Sequence, residues 1–160
     1  NNNGLGAPEL FDLRLPRRSS GNGVASVGPL KNVTQFNSDG RRQITLNFAR
    51  GPVVIDQGIF EIGPRFMRVS ALKYDWEFGV ATRSIPSAAV DGMIRKVTDQ
   101  TKPEDRFAIV RFFLQAELFL LALAELDSIV DDFPDLKARV DEFTIQARQQ
   151  LAQKLQDRPT

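Results

Sequence analysis

The sequence predicts an α+β chain, with a small antiparallel sheet or sandwich over residues 1–83 and a helical unit over residues 84–160. Three observations predict it. Ile44, Leu46 and Phe48 alternate with Thr45 and Asn47, the period of a half-buried strand. Ile85, Ala89, Met93 and Val97 recur at helical spacing. Residues 104–134, EDRFAIVRFFLQAELFLLALAELDSIVDDFP, form a strongly amphipathic segment closed by Phe-Pro.

Residues 1–40 are rich in Gly, Asn, Pro and Ser. Residues 1–6 are expected to be mobile, and RRSSGNG at 17–23 reads as an exposed loop. Phe11, Leu13 and Leu15 share one face of a candidate edge strand. After the strand at 43–48, Arg50-Gly51-Pro52 punctuates. Residues 53–55 and 59–62 are short strand candidates separated by the turn-like triplet Asp56-Gln57-Gly58. Gly63-Pro64 marks another turn before strands at 66–72 and 74–82. In the last of these, Tyr74, Trp76, Phe78 and Val80 share a face opposite Asp75, Glu77 and Gly79.

The helical half opens at Ser84, an expected N-cap with Pro86 in the first turn. Residues 98–102 break that helix. Thr101 and Glu104 have capping-box spacing, with Pro103 tolerated in the first turn. Pro134 stops the following segment. A last helix is predicted over about residues 135–156, with Leu136, Val140, Phe143, Ala147, Leu151 and Leu155 on one stripe.

A chain of 160 residues suits one domain or two small ones. It contains no Cys and no His. Disulfides, thiolate nucleophiles, Cys-based zinc sites and His-dependent triads are therefore excluded. Nothing in the residue pattern calls for a cofactor or a metal. No apolar run approaches the roughly 20 residues that span a bilayer; the best, 118–126, is short and contains Glu125. The start, NNNGLGAPEL, lacks an initiator Met, which fits a processed terminus or a piece of a longer protein. The net charge of +1 divides into +4 over residues 1–90 and −3 over residues 91–160. That split is too weak to imply nucleic acid, for which a clustered basic face is needed.

Residues 106–134 resemble one tetratricopeptide repeat, a helix–turn–helix of roughly 34 residues. The resemblance runs through Ile109 and Phe113, then Phe119, Ala122 and Leu126, and ends at Pro134. Glu117 stands where the family usually has a turn-making Gly, Arg106 where it has an aromatic residue, and Ile129 where it has a small one. These departures leave a single long helix open as the alternative. The resemblance implies a helical hairpin, with the final helix stacking on it as a cap. The chain as a whole resembles the uncharacterised β-then-helical modules of large bacterial multidomain proteins, which implies no particular activity.

Several constellations have a chemical and a plain reading. Asp75 and Glu77 on one strand face could hold a cation or act as acid and base; the plain reading is a solvated face. Asp131, Asp132 and Asp135 read as a solvated helix corner. RRSSGNG could bind an anion, but lacks phosphate-loop spacing. Arg41, Arg42, Arg50, Arg65, Arg68 and Arg83 tint the β half positive without interleaved aromatics. The Phe-rich segment has too broad an apolar face for one small core. The sequence therefore points to a non-enzymatic protein–protein interaction or scaffolding module that takes a protein partner or a second copy. The expected contact residues are Phe107, Phe112, Phe119, Leu120 and Leu123. The alternatives are a carboxylate-dependent hydrolase or carbohydrate-active domain using Asp56, Glu61, Asp75 and Glu77, and a ligand pocket lined by Trp76 or Tyr74.

Overall fold

A computed structural model describes residues 7–13, 30–72 and 77–157. The expectations placed on residues 1–6, on RRSSGNG and on Tyr74, Asp75 and Trp76 lie outside the described residues. The fold is α+β: an antiparallel sheet followed by four helices.

The strands are β1 (Phe11–Asp12), β2 (Leu30–Val33), β3 (Arg41–Phe48), β4 (Gly51–Ile62), β5 (Phe66–Ala71) and β6 (Glu77–Ala81). They form one sheet in the order β2-β3-β4-β5-β6. Strand β1 pairs with the far end of β4, Phe11 opposite Ile62 and Asp12 opposite Glu61. The alternation read at Ile44 and Leu46 is realised. Both are buried and cluster with Ile55 and Ala71, with Val53 packed alongside.

The punctuation read at Arg50-Gly51-Pro52 is realised as a tight turn at residues 49 and 50, with Gly51 and Pro52 already in the ladder opposite Phe48 and Asn47. Strand β4 corrects the sequence reading further on. Asp56-Gln57-Gly58 is no turn. Gln43, Arg42 and Arg41 pair with these three residues from β3, and β5 pairs from the other side at Gln57 and Gly58. Two flanking strands supply the backbone partners that a turn would otherwise supply, and that outweighs the local turn tendency. The register slips between Ile59 and Glu61, a bulge of the kind that bends a strand.

The β2–β3 connection is tight. Asn37 accepts at its side-chain oxygen from the N–H of Asp39 (2.9 Å) and of Arg41 (3.0 Å), an Asx turn. Gly40 has φ of +72°. A Cβ there would lie 2.6 Å from Leu13 Cδ2 and 3.0 Å from Met93 Sδ, so both the backbone angle and the space demand glycine.

The helices are α1 (Ser87–Val97), α2 (Pro103–Gln115), α3 (Phe119–Asp132) and α4 (Lys137–Gln156). Neither expected cap forms. The Ser84 hydroxyl donates to Ala81 O in a short 3-10 turn, and α1 begins only at Ser87. The Thr101 hydroxyl donates to Asp99 rather than capping α2, whose first turn follows Lys102. The α2–α3 segment is two helices and not one. Glu117 occupies the break with φ of +60°, a left-handed conformation that glycine adopts more readily. Its carboxylate pairs with Lys154 of α4 at 3.2 Å.

The described residues fall into two compact units, 10–97 and 98–157 together with 7–9. The helix α1 groups with the sheet, through buried Ala89, Val90, Met93 and Ile94. The compact division thus falls at 97/98, whereas the change of sequence pattern falls near residue 83.

Candidate functional site

The helical unit is assembled around a buried ion network. Arg106 on α2 and Glu125 on α3 are each 3% exposed. Nε of Arg106 donates to Glu125 at 2.6 Å. Nη1 donates to Asp132 at 2.7 Å and to Gln100 O at 3.3 Å, and Nη2 donates to Ser128 at 2.8 Å. The planar guanidinium thus makes four hydrogen bonds, one more than the three donors of a lysine ammonium could make. Burial works to lower the Arg106 pKa, but the hydrogen bonds to Asp132 and Glu125 outweigh it and hold it above the ordinary arginine value. A raised pKa means that its stabilisation is complete at all pH values below the ordinary one. Arg106 therefore adds no pH dependence near neutrality.

Next to this network lies Phe107. Its ring stacks on Phe143 of α4 at 5.2 Å, and Arg139 sits 4.1 Å above its centroid. Arg139 also grips both carboxylate oxygens of Glu104, at 2.6 and 3.2 Å. Hydrogen bonding to Arg139, partly opposed by desolvation, holds the Glu104 carboxyl below its ordinary range. Hydrogen bonds from Thr101 do the same for Asp99. The sign follows: these contributions are present above the ordinary carboxylate values and are lost as pH falls through the lowered ones. Urea midpoints should fall as the pH drops below about 5, and Glu104→Gln should make that fall shallower.

The five residues expected to meet a partner do not act alike. Phe107 and Phe112 have no exposed surface, and Phe119 is 6% exposed. All three are core, because their rings complete the packing of the chain itself. Phe112 meets Phe113 edge-on at 6.1 Å. Leu120 is 76% exposed, and Leu123, one turn on, is half-buried. With exposed Ala124 they share the outer face of α3 at i, i+3 and i+4 spacing. The stripe read on α4 holds at Val140 and Ala147, but Leu155 is 53% exposed, and so is Ile145, at 58%.

Of the described carboxylates of the hydrolase alternative, Asp56 and Glu77 have side-chain partners. Asp56 accepts from the Gln43 side chain at 2.9 Å. Glu77 faces Arg68 at 3.4 Å, and Glu61 stands opposite Arg68 in the ladder. Among the described residues there is no group of three or more His, Cys, Asp or Glu that could hold a metal ion. No helix among them is long and apolar enough to cross a membrane.

A second feature lies in the sheet unit, beside the β2–β3 turn. It is an open groove of about 330 Å³, lined by Thr34, Asn37, Arg41, Arg42, Gln43 and Asp56 among others. Nε of Arg42 donates to Gln57 at 2.7 Å, and its guanidinium lies 4.3 Å above the buried Phe36 ring. The sequence showed these arginines only as part of a diffuse basic tint. The strand pairing of Arg42 with Gln57 could have been anticipated only by reading 56–58 as strand.

Comparison with protein-family models, with curated proteins and with solved structures finds no match.

Proposed function

We propose that the helical unit is a non-enzymatic protein–protein interaction module, a tetratricopeptide-like hairpin of α2 and α3 with α4 as its cap. The observation that carries this reading is Leu120. It stands 76% exposed on α3, with Leu123 and Ala124 on the same face, while the Phe side of the hairpin is sealed. Leu120, Leu123 and Ala124 together form an apolar patch on a rigid helix, a surface of the kind that receives a protein or a second copy of this chain. The break at Glu117 falls where the repeat places its turn, and Ala122 and Leu126 are buried at the positions that the repeat reserves for packing. In this reading Arg106 and Glu125 replace the usual aromatic packing with an ion pair.

Light scattering coupled to size exclusion, together with affinity capture from native extract, tests the reading. The variant Leu120→Asp should weaken any association by about tenfold or more while the urea midpoint of the isolated chain stays nearly unchanged, since Leu120 is 76% exposed. A chain that is strictly monomeric and captures nothing, or captures equally well with Leu120 replaced, would remove the proposal.

A further inference from the structure

We propose that the groove beside the β2–β3 turn binds a small carboxylate-bearing molecule, with Arg42 as the residue that recognises the anion. The argument begins with Arg42. Its Nε–H is committed to Gln57 and its plane rests on Phe36, so the guanidinium is held in one orientation. Neither Arg42 nor Arg41 has a carboxylate partner within ion-pair distance among the described residues. Among the described residues no hydrogen bond is made by the two terminal nitrogens of Arg42. The cation is partly desolvated with no counter-charge among the described residues, and this burial lowers its pKa from the ordinary value. Binding an anion there would relieve that cost, and a fixed fork is the geometry that a carboxylate accepts in two parallel bonds.

The remaining groups set the kind of anion. Asn37 spends its carbonyl oxygen on the backbone of Asp39 and Arg41, so what it offers a ligand is its amide N–H2 group. Gln43 spends its amide on Asp56. Two arginines and one aspartate give the groove a net charge of +1, which suits a singly charged carboxylate better than a doubly charged phosphate. The second oxygen of Asp56 is left as an acceptor for a ligand hydroxyl. The volume, about 330 Å³, is that of a single small molecule. A hydroxylated monocarboxylate such as a sugar acid offers a carboxylate to the Arg42 fork and hydroxyls to the polar groups that line the groove.

The test is a proton–nitrogen NMR titration of the full chain with glucuronate. Inorganic phosphate, glucose and sodium chloride at matched ionic strength serve as the other arms. The expected result is a saturable shift of the amides of residues 34–43 and of Arg42 Nε–H, half-complete at an order of 1 mM glucuronate. Arg42→Gln should weaken it about tenfold or more, and Arg41→Gln by a smaller factor. Should Arg42→Gln lose the folded spectrum, Arg42→Lys keeps the charge and the stem but not the fork, and the same weakening is expected. Four outcomes overturn the proposal: no saturable shift, equal shifts with glucose or with chloride, tighter binding of phosphate than of glucuronate, or unchanged binding in the folded Arg42 variant.

Discussion

Arg106→Ala is expected to destabilise the helical unit by roughly 3–5 kcal/mol, because it takes the Arg106 counter-charge away from the buried Glu125 carboxylate. Glu125 is 3% exposed, so water cannot replace the lost donor without opening the α2–α3 packing. Thermal unfolding should shift down by something on the order of 10 °C. Two companions separate the pair from its burial. Arg106→Lys keeps the charge but loses the fork that reaches Glu125, Asp132 and Ser128 together, and should fall between wild type and Ala. The double variant Arg106→Met, Glu125→Leu removes both charges and should lie near the wild type, since a buried pair is often no better than an apolar one of similar volume. Urea denaturation of the four proteins checks the order. A single Ala variant as stable as the double would show that Glu125 does not depend on Arg106.

Phe107→Ala should cost about 3–5 kcal/mol, the usual cost of emptying a buried aromatic site. The ring has no exposed surface, and it loses both the Phe143 stack and the Arg139 contact when truncated. This variant decides between the two roles that the sequence left open for the Phe-rich helix. A core residue lowers the urea midpoint of the isolated chain. A partner contact would leave that midpoint alone and weaken association instead, which is the behaviour expected of Leu120.

The legible parts of the fold were those carried by local period. Ile44 and Leu46 alternate because one face of β3 is buried, and Val140 and Ala147 recur because one side of α4 is. What the sequence concealed was set by partners far along the chain. Gly58 looks like a turn residue until Arg41 and Ser70 pair with it from either side. Thr101 looks like a cap until Asp99 takes its hydroxyl. Arg106 looks like a departure from an aromatic position, because its partners Glu125 and Asp132 lie 19 and 26 residues away. Of the candidate surface, Leu120 and Leu123 were picked out by composition. Composition alone did not separate them from Phe107 and Phe112, since all four are large and apolar and only packing tells them apart.

The main chain passes between the two compact units twice, once at 9/10 and once at 97/98. Residues 7–9 reach α2, where Gln115 donates to Ala7 O at 2.9 Å and accepts from the Glu9 N–H at 2.8 Å, and Arg111 meets the Glu9 carboxylate at 2.5 Å. A fragment cut to begin at residue 98 would therefore lack a strap that its own helix is shaped to hold. Supplied separately as a short peptide, that strap should re-associate with the fragment, which makes the junction a natural place to split the gene for a complementation reporter.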